Sequence, residues 1–236
     1  MATLVLVRHG RSTANAAGVL TGRTPGVELD DVGRRQAAQV AERLAGVPLA
    51  AVVSSPLERC LQTAAVVADG RADVRLEDGL TECDYGQWQG RPLRELAQEP
   101  LWSVVQNQPS AAVFPDGESL TAMQARAVEA VRRHDAALEA EHGAGAVWVA
   151  VTHGDIIKSV LADALGMGPD LFQRLTVNPG SVSVVRYGTT RPDVVATNTD
   201  AGDLSWLRGL GPVEDAPVGG GAGPRAAGPS DAPTET

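Results

Sequence analysis

The chain has 236 residues, 43% of them hydrophobic, with 29 acidic against 20 basic side chains and a net charge of -9. That length can bury a sizeable core in one or two domains, and the acid surplus argues against a surface that binds nucleic acid or an anionic membrane. Aromatics at 3% are too few for base-stacking platforms, and the two distant cysteines, Cys60 and Cys83, exclude a disulfide scaffold or a cysteine zinc knuckle. No stretch reads as a secretory leader, and the apolar run 144–151 is too short to span a bilayer, so a cytoplasmic setting is expected.

The first element is a short apolar run, 3–7, read as a buried strand that ends at His9-Gly10. Helical spacing of Val32, Ala37, Val40, Ala41 and Leu44 predicts a helix over 31–45, capped by Asp30 or Asp31. A second buried strand is expected at 50–53, then a helix that begins near Pro56 and runs to about 68. A third strand falls at 74–76. The stretch 82–117 is broken by glycines and prolines, with short helices near 92–98 and 101–107. The clearest helix is 119–141. Another buried strand, 146–151, ends at His153-Gly154 and leads into a helix to about 165. Strands at 182–186 and 194–196 close the pattern.

Alternating continuous apolar strands and helices imply an α/β layer fold with a largely parallel sheet. This domain is placed at 1–208. In 209–236, 17 of 28 residues are Gly, Pro or Ala, a composition that predicts a disordered tail. The only lysine, Lys158, is expected on the exposed side of its helix.

In open α/β sheets, ligands bind beyond the carboxyl ends of the strands. Three such ends carry reactive text here: Arg8-His9-Gly10-Arg11-Ser12-Thr13-Ala14-Asn15, Ser54-Ser55-Pro56-Leu57-Glu58-Arg59 and Thr152-His153-Gly154-Asp155. Singly, each has an ordinary reading: a turn histidine, a solvated arginine, a capping asparagine. Together they describe an anion pocket. Guanidinium forks match phosphate oxygens, and an imidazole with one nitrogen tied down can act as a nucleophile through the other. Phosphoryl transfer needs mainly charge stabilisation, plus a proton donor for the leaving oxygen. Glu82, in Leu80-Thr81-Glu82-Cys83-Asp84-Tyr85-Gly86, is the candidate donor, against the plain reading of a loop carboxylate paired with an arginine.

The Arg8–Asn15 opening resembles the signature of the histidine phosphatase superfamily, in its phosphoglycerate mutase-like branch. The likeness continues through Thr21-Gly22-Arg23, the Ser54–Ala64 stretch, Leu80 with Glu82, Gly117-Glu118-Ser119 and Val151-Thr152-His153-Gly154, in order over about 3–200. The resemblance implies His9 as phosphate acceptor. It implies Arg8, Arg59 and His153 as the rest of the phosphate pocket, and Glu82 as proton donor and later base. It places Ser12, Asn15, Thr21, Gly22 and Gly154 near the phosphate or the rest of the substrate. The fold it implies is a single three-layer α/β domain, a largely parallel mixed sheet with helices on both faces, and no metal and no cofactor are implied.

Such a pocket can pass its phosphoryl group to water or to another hydroxyl. The lid would be 86–117, short for a glycolytic mutase and with only Arg91 and Arg94 as bases. Asp155 is a poor neighbour for a second anionic group. Both features favour a phosphatase of small phosphomonoesters, acting through a phosphohistidine, over a phosphomutase. A non-catalytic protein that binds a phospho-ligand is the third reading, disfavoured because His9 and Arg59 are both present. The partner expected is a small phosphorylated metabolite, with no nucleic acid and no membrane, and the text assigns no oligomeric state.

Overall fold

The computed structural model describes residues 2–202, 218–221 and 223. A single sheet runs through the molecule in the order β3-β2-β4-β1-β5-β6. Its strands are β1 (Thr3–Arg8), β2 (Ala51–Ser54), β3 (Val74–Leu76), β4 (Val147–Thr152), β5 (Val182–Tyr187) and β6 (Pro192–Thr199). Pairs β3-β2, β2-β4 and β4-β1 are parallel, whereas β5 runs antiparallel to β1 and β6 antiparallel to β5.

The layers follow from strand periodicity. Successive side chains of a strand point to opposite faces. Leu4 and Leu6 therefore join Trp148 and Ala150 in one core, packed under α6 (Leu120–His142) and α7 (Gly154–Ala164). Val5 and Val7 join Val149 and Val151 in the other, under α2 (Asp31–Leu44) and α3 (Glu58–Ala68). Both faces of the central strands are covered, which is why β1, β2 and β4 read as unbroken apolar runs. The expected α/β class, the mixed and largely parallel sheet and the helices on both faces are all present.

Caps place the helices. The Asp30 carboxylate accepts from Gly33 N and starts α2, and Ser119 does the same for α6 through Ala122 N. The sequence reading omitted α1 (Thr13–Ala17), a five-residue helix made by a reciprocal Ser12–Asn15 capping box. Helices α4 (Leu93–Leu96) and α5 (Pro100–Asn107) lie in the segment between β3 and β4.

One expectation changes. Lys158 is buried, not exposed, because α7 is buried almost all round: its Nζ donates to Gln173 Oε1 at 2.8 Å and lies 3.7 Å from Asp155 Oδ1. The domain boundary expected at 208 and most of the predicted tail lie outside the described residues. Within the tail, however, Val218 is only 1% exposed and Gly221 is buried. These positions are covered rather than solvated. Backbone groups of this segment find buried partners, and Val218 joins the apolar core on the α6 and α7 side of the sheet.

Candidate active site

The site forms where β1, β2 and β4 end side by side. His9 follows β1, Ser55 follows β2 with Arg59 in the first turn of α3, and His153 follows β4 as the residue before α7. A side chain at position 10 would collide with the backbone of Gly33, so only glycine lets the β1 end pass the start of α2. Glu82 comes from the loop after β3, held to β4 by the Thr152 hydroxyl, which donates to Leu80 O at 2.6 Å. That loop is clamped from behind. Arg23 Nε and Arg126 Nη2 both donate to Glu82 O, at 2.9 and 3.1 Å, and Glu118 Oε1 accepts from both guanidinium groups.

His9 Nδ1 lies 2.7 Å from Gly10 O. A carbonyl only accepts, so Nδ1 carries the ring proton and Nε2 is left with its lone pair. Arg59 Nε donates to that Nε2 at 3.2 Å. The same guanidinium donates through Nη2 to Gly22 O at 2.8 Å and to His153 Nδ1 at 3.2 Å, while its buried Nη1 has no hydrogen-bond partner among the described residues. A desolvated guanidinium N–H of this kind is suited to an anion. The two imidazoles meet edge to face with centroids 5.2 Å apart. His153 Nε2 is 2.8 Å from Ser55 Oγ and 3.4 Å from Cys60 Sγ, and its Nδ1 is 3.9 Å from Glu82 Oε2.

Burial dominates the protonation states. It pushes both His9 and His153 well below the usual histidine range, with Arg59 the next largest contribution, so both rings are neutral near pH 7. Burial also raises the Glu82 carboxyl to about 7, helped by the nearby Asp155 charge and opposed by Arg59. A carboxylic acid that still holds its proton near neutrality is suited to give it to a leaving group.

The cleft, about 370 Å³ with its open mouth, is lined by His9, Arg59 and Glu82 together with Asn15, Thr21 and Gly22. The other sequence candidates stand elsewhere. His153 lies just behind Arg59, fully buried. The Ser12 hydroxyl is committed to its capping box, and Gly154 is the buried first residue of α7. Arg8 sits beneath the cleft, where it donates to Val177 O at 2.8 Å, Gly219 O at 3.1 Å and Gly221 O at 2.7 Å. Gly219 N in turn donates to Asp155 Oδ2 at 3.0 Å, which also accepts from the Tyr85 hydroxyl at 2.7 Å.

Sequence reasoning missed the apolar wall, made of Val19, Leu20, Leu93 and Val218. It also gave no role to Tyr85 or the 218–221 segment, and read Asp155 only as a poor neighbour for a second anion, not as the acceptor of both Tyr85 and Gly219. Nothing in a Gly-rich text signals a buried wall; only the lone Val218 before three glycines hints at an anchor. Trp88 is buried and stacks on Trp102 with ring centroids 6.2 Å apart. Cys60 and Cys83 are both buried, the Cys60 thiol pushed up to about 12 by burial. Among the described residues, no group of three or more His, Cys, Asp or Glu is placed to hold a metal ion, and no helix is long and apolar enough to cross a membrane.

Comparison with known proteins decides the family. Residues 4–200 match the model of the histidine phosphatase superfamily, branch 1. This chain belongs to that superfamily. Among its relatives in the superfamily, the probable phosphoglycerate mutase GpmB of Yersinia pestis is 33% identical over 192 residues, covering 79% of this chain and 86% of the relative. A putative alpha-ribazole-5'-P phosphatase from Escherichia coli has the same fold, with a TM-score of 0.73 and 27% identity over 84% of this chain and 96% of that one. A phosphoserine phosphatase mutant from Entamoeba histolytica, solved in complex with phosphoserine, gives 0.74 and 26% over 84% and 98%. As a histidine phosphatase superfamily member, the chain is a phosphatase or a phosphomutase.

Proposed function

We propose that the chain is a phosphatase that hydrolyses small phosphomonoesters through a phosphohistidine on His9. The observation that carries the reading is the pairing of an unprotonated His9 Nε2 with a buried Arg59 whose Nη1 has no partner among the described residues. Nε2 attacks phosphorus, the ester P–O bond breaks, and the Glu82 acid gives its proton to the departing oxygen. Water then attacks the phosphohistidine, the Glu82 carboxylate takes a proton from it, the P–N bond breaks and orthophosphate leaves. Arg59 neutralises charge on the transferred group throughout, and His153 stands behind it. Arg8 supports the floor through its carbonyl contacts.

Hydrolysis is favoured over mutase activity by the lining. Beyond Arg59 the cleft has no second arginine or lysine among the described residues, and four of its lining residues are apolar side chains. A phosphoglycerate would bring a carboxylate with no cation to meet it. The mutase reading has the name of the Yersinia relative in its favour. The experiment is a panel of phosphomonoesters assayed by phosphate release, with His9→Ala as the control and 3-phosphoglycerate included. We expect free phosphate from several uncharged-alcohol esters and an acid-labile phosphoenzyme that His9→Ala cannot form. Return of isomerised phosphoglycerate with little free phosphate would make the chain a mutase instead.

A further inference from the structure

Ser55 sits fully buried on the residue after β2, outside the set of groups used above. Its Oγ is 2.8 Å from His153 Nε2. On the other side of that ring, Arg59 Nη2 is 3.2 Å from Nδ1. A guanidinium can only donate, so Nδ1 accepts from it and the proton of the neutral ring sits on Nε2, which donates to Ser55 Oγ. Nδ1 is also the nitrogen on the side of the reacting groups: it lies 3.9 Å from Glu82 Oε2 and shares Arg59 with His9. Ser55 Oγ is no loose acceptor. Leu57 N, at the start of α3, reaches it at 3.4 Å, and α3 also carries Arg59. The other heavy atom near Nε2 is Cys60 Sγ at 3.4 Å, a much weaker acceptor.

A phosphoryl group on His9 presents only acceptor oxygens. A bare Nδ1 would face it lone pair to lone pair, so His153 can help only if Nδ1 acquires a proton. We propose that Ser55 is the positioning residue for His153: by accepting the Nε2 proton it adds to the hold of Arg59 on the tautomer, so that Nδ1 is the ring nitrogen of His153 that takes a proton from an arriving phosphate monoanion. The balance is simple. The monoanion gives its proton to Nδ1 and becomes a dianion; the imidazole becomes an imidazolium whose Nε2–H still donates to Ser55 and whose Nδ1–H donates to the phosphate. The pair keeps its single net negative charge but becomes an ion pair in place, while in the empty site the ring stays uncharged beside Arg59. The second ionisation of phosphate lies near the pH at which the enzyme would work, so the proton is available.

This inference rests on the phosphate reading of the cleft, and the test separates the two. The full chain is labelled with 15N-histidine, and two-bond 1H–15N correlations of His9 and His153 are recorded at pH 7 with and without inorganic phosphate. Wild type, Ser55→Ala and Ser55→Thr are compared, with kcat and KM measured on one phosphomonoester. In wild type, His153 Nδ1 should change from a bare to a protonated nitrogen on adding phosphate, and Ser55→Thr, which keeps the hydroxyl, should do the same. In Ser55→Ala the Nε2 proton loses its acceptor, so added phosphate should protonate His153 Nδ1 incompletely, and kcat should fall about tenfold, the worth of one buried hydrogen bond, with KM changed less than about threefold. Phosphate that moves His9 while His153 Nδ1 stays bare in wild type overturns the role of Ser55 and leaves the site reading standing. Phosphate that moves neither ring removes both. A Ser55→Ala enzyme that keeps the wild-type protonation of Nδ1 by phosphate and the wild-type kcat also overturns it.

Discussion

The ends of β1 and β4 carry the same dipeptide, His-Gly, side by side on one edge of the sheet, and they present opposite nitrogens. His9 is tied through Nδ1 to a carbonyl and offers Nε2; His153 is tied through Nε2 to a hydroxyl and offers Nδ1. His9 lines the cleft, while His153 lies behind it with no exposed surface. The motif is therefore silent about role. What differs is the second partner of each ring: a backbone carbonyl one residue on for His9, a side chain from the neighbouring strand for His153.

The widest separation between the two should come from removing each ring. His9→Ala should lower turnover by on the order of 10³ or more and abolish the phosphoenzyme, as expected for loss of a nucleophile. His153→Ala should cost on the order of 10² and still allow a phosphoenzyme to be trapped, because it removes charge stabilisation rather than the acceptor. Equal losses, or a phosphoenzyme surviving in His9→Ala, would dissolve the contrast.

Next in size is Glu82, which faces the His153 side of the pair. Its carboxyl is raised to about 7, so the acid form prevails below that value and is lost above it. Turnover of esters with poor leaving groups should fall as pH rises through about 7. Glu82→Gln should flatten that limb and cost about 10² on such esters, but far less on a nitrophenyl ester, whose leaving group needs no proton. The same shift has a stability sign. The folded state holds this proton between the ordinary value of 4.5 and about 7, so this group's contribution is full at low pH and declines as pH rises across that window. Urea titrations of wild type and Glu82→Gln at pH 5 and pH 8 would detect it.

Smaller effects test the scaffolds of the two ends. Gly10→Ala forces the β1 end away from Gly33 and should cost about 2–3 kcal/mol in urea unfolding, with activity lost through a displaced His9. Val218→Asp puts a carboxylate into an apolar wall and should cost about 1–2 kcal/mol and unseat the carbonyls that Arg8 holds. Unchanged melting in Val218→Asp would mean that the segment contributes no packing.

Much of the scaffold was legible in the text. Strands β1, β2 and β4 are covered on both faces, so their apolar runs announce them, and the helices α2 and α6 show both a period and a cap. The short α1 was not legible, because its five residues have no apolar stripe and are made by the Ser12–Asn15 box alone. Lys158 was misplaced because a periodicity reading assumes one wet face, and α7 has almost none. The reactive groups at three strand ends could be named from the chain, since parallel strands must bring their carboxyl ends to one edge.

From residue types and spacing alone came the kind of chemistry available: two imidazoles, guanidinium groups and a carboxylate near one sheet edge, in a fold able to gather them. Which nitrogen each imidazole shows, that Arg8 turns towards the carbonyls of Gly219 and Gly221, and that Val218 walls the cleft, came from the folded arrangement. Apart from His9, tied to the next residue's carbonyl, these depend on partners far apart in the chain, such as Ser55 with His153, 98 positions on, and Arg8 with Gly221, 213 positions on. Hydrogen-bond direction and burial are set by what packs against a group, and no local pattern carries that information.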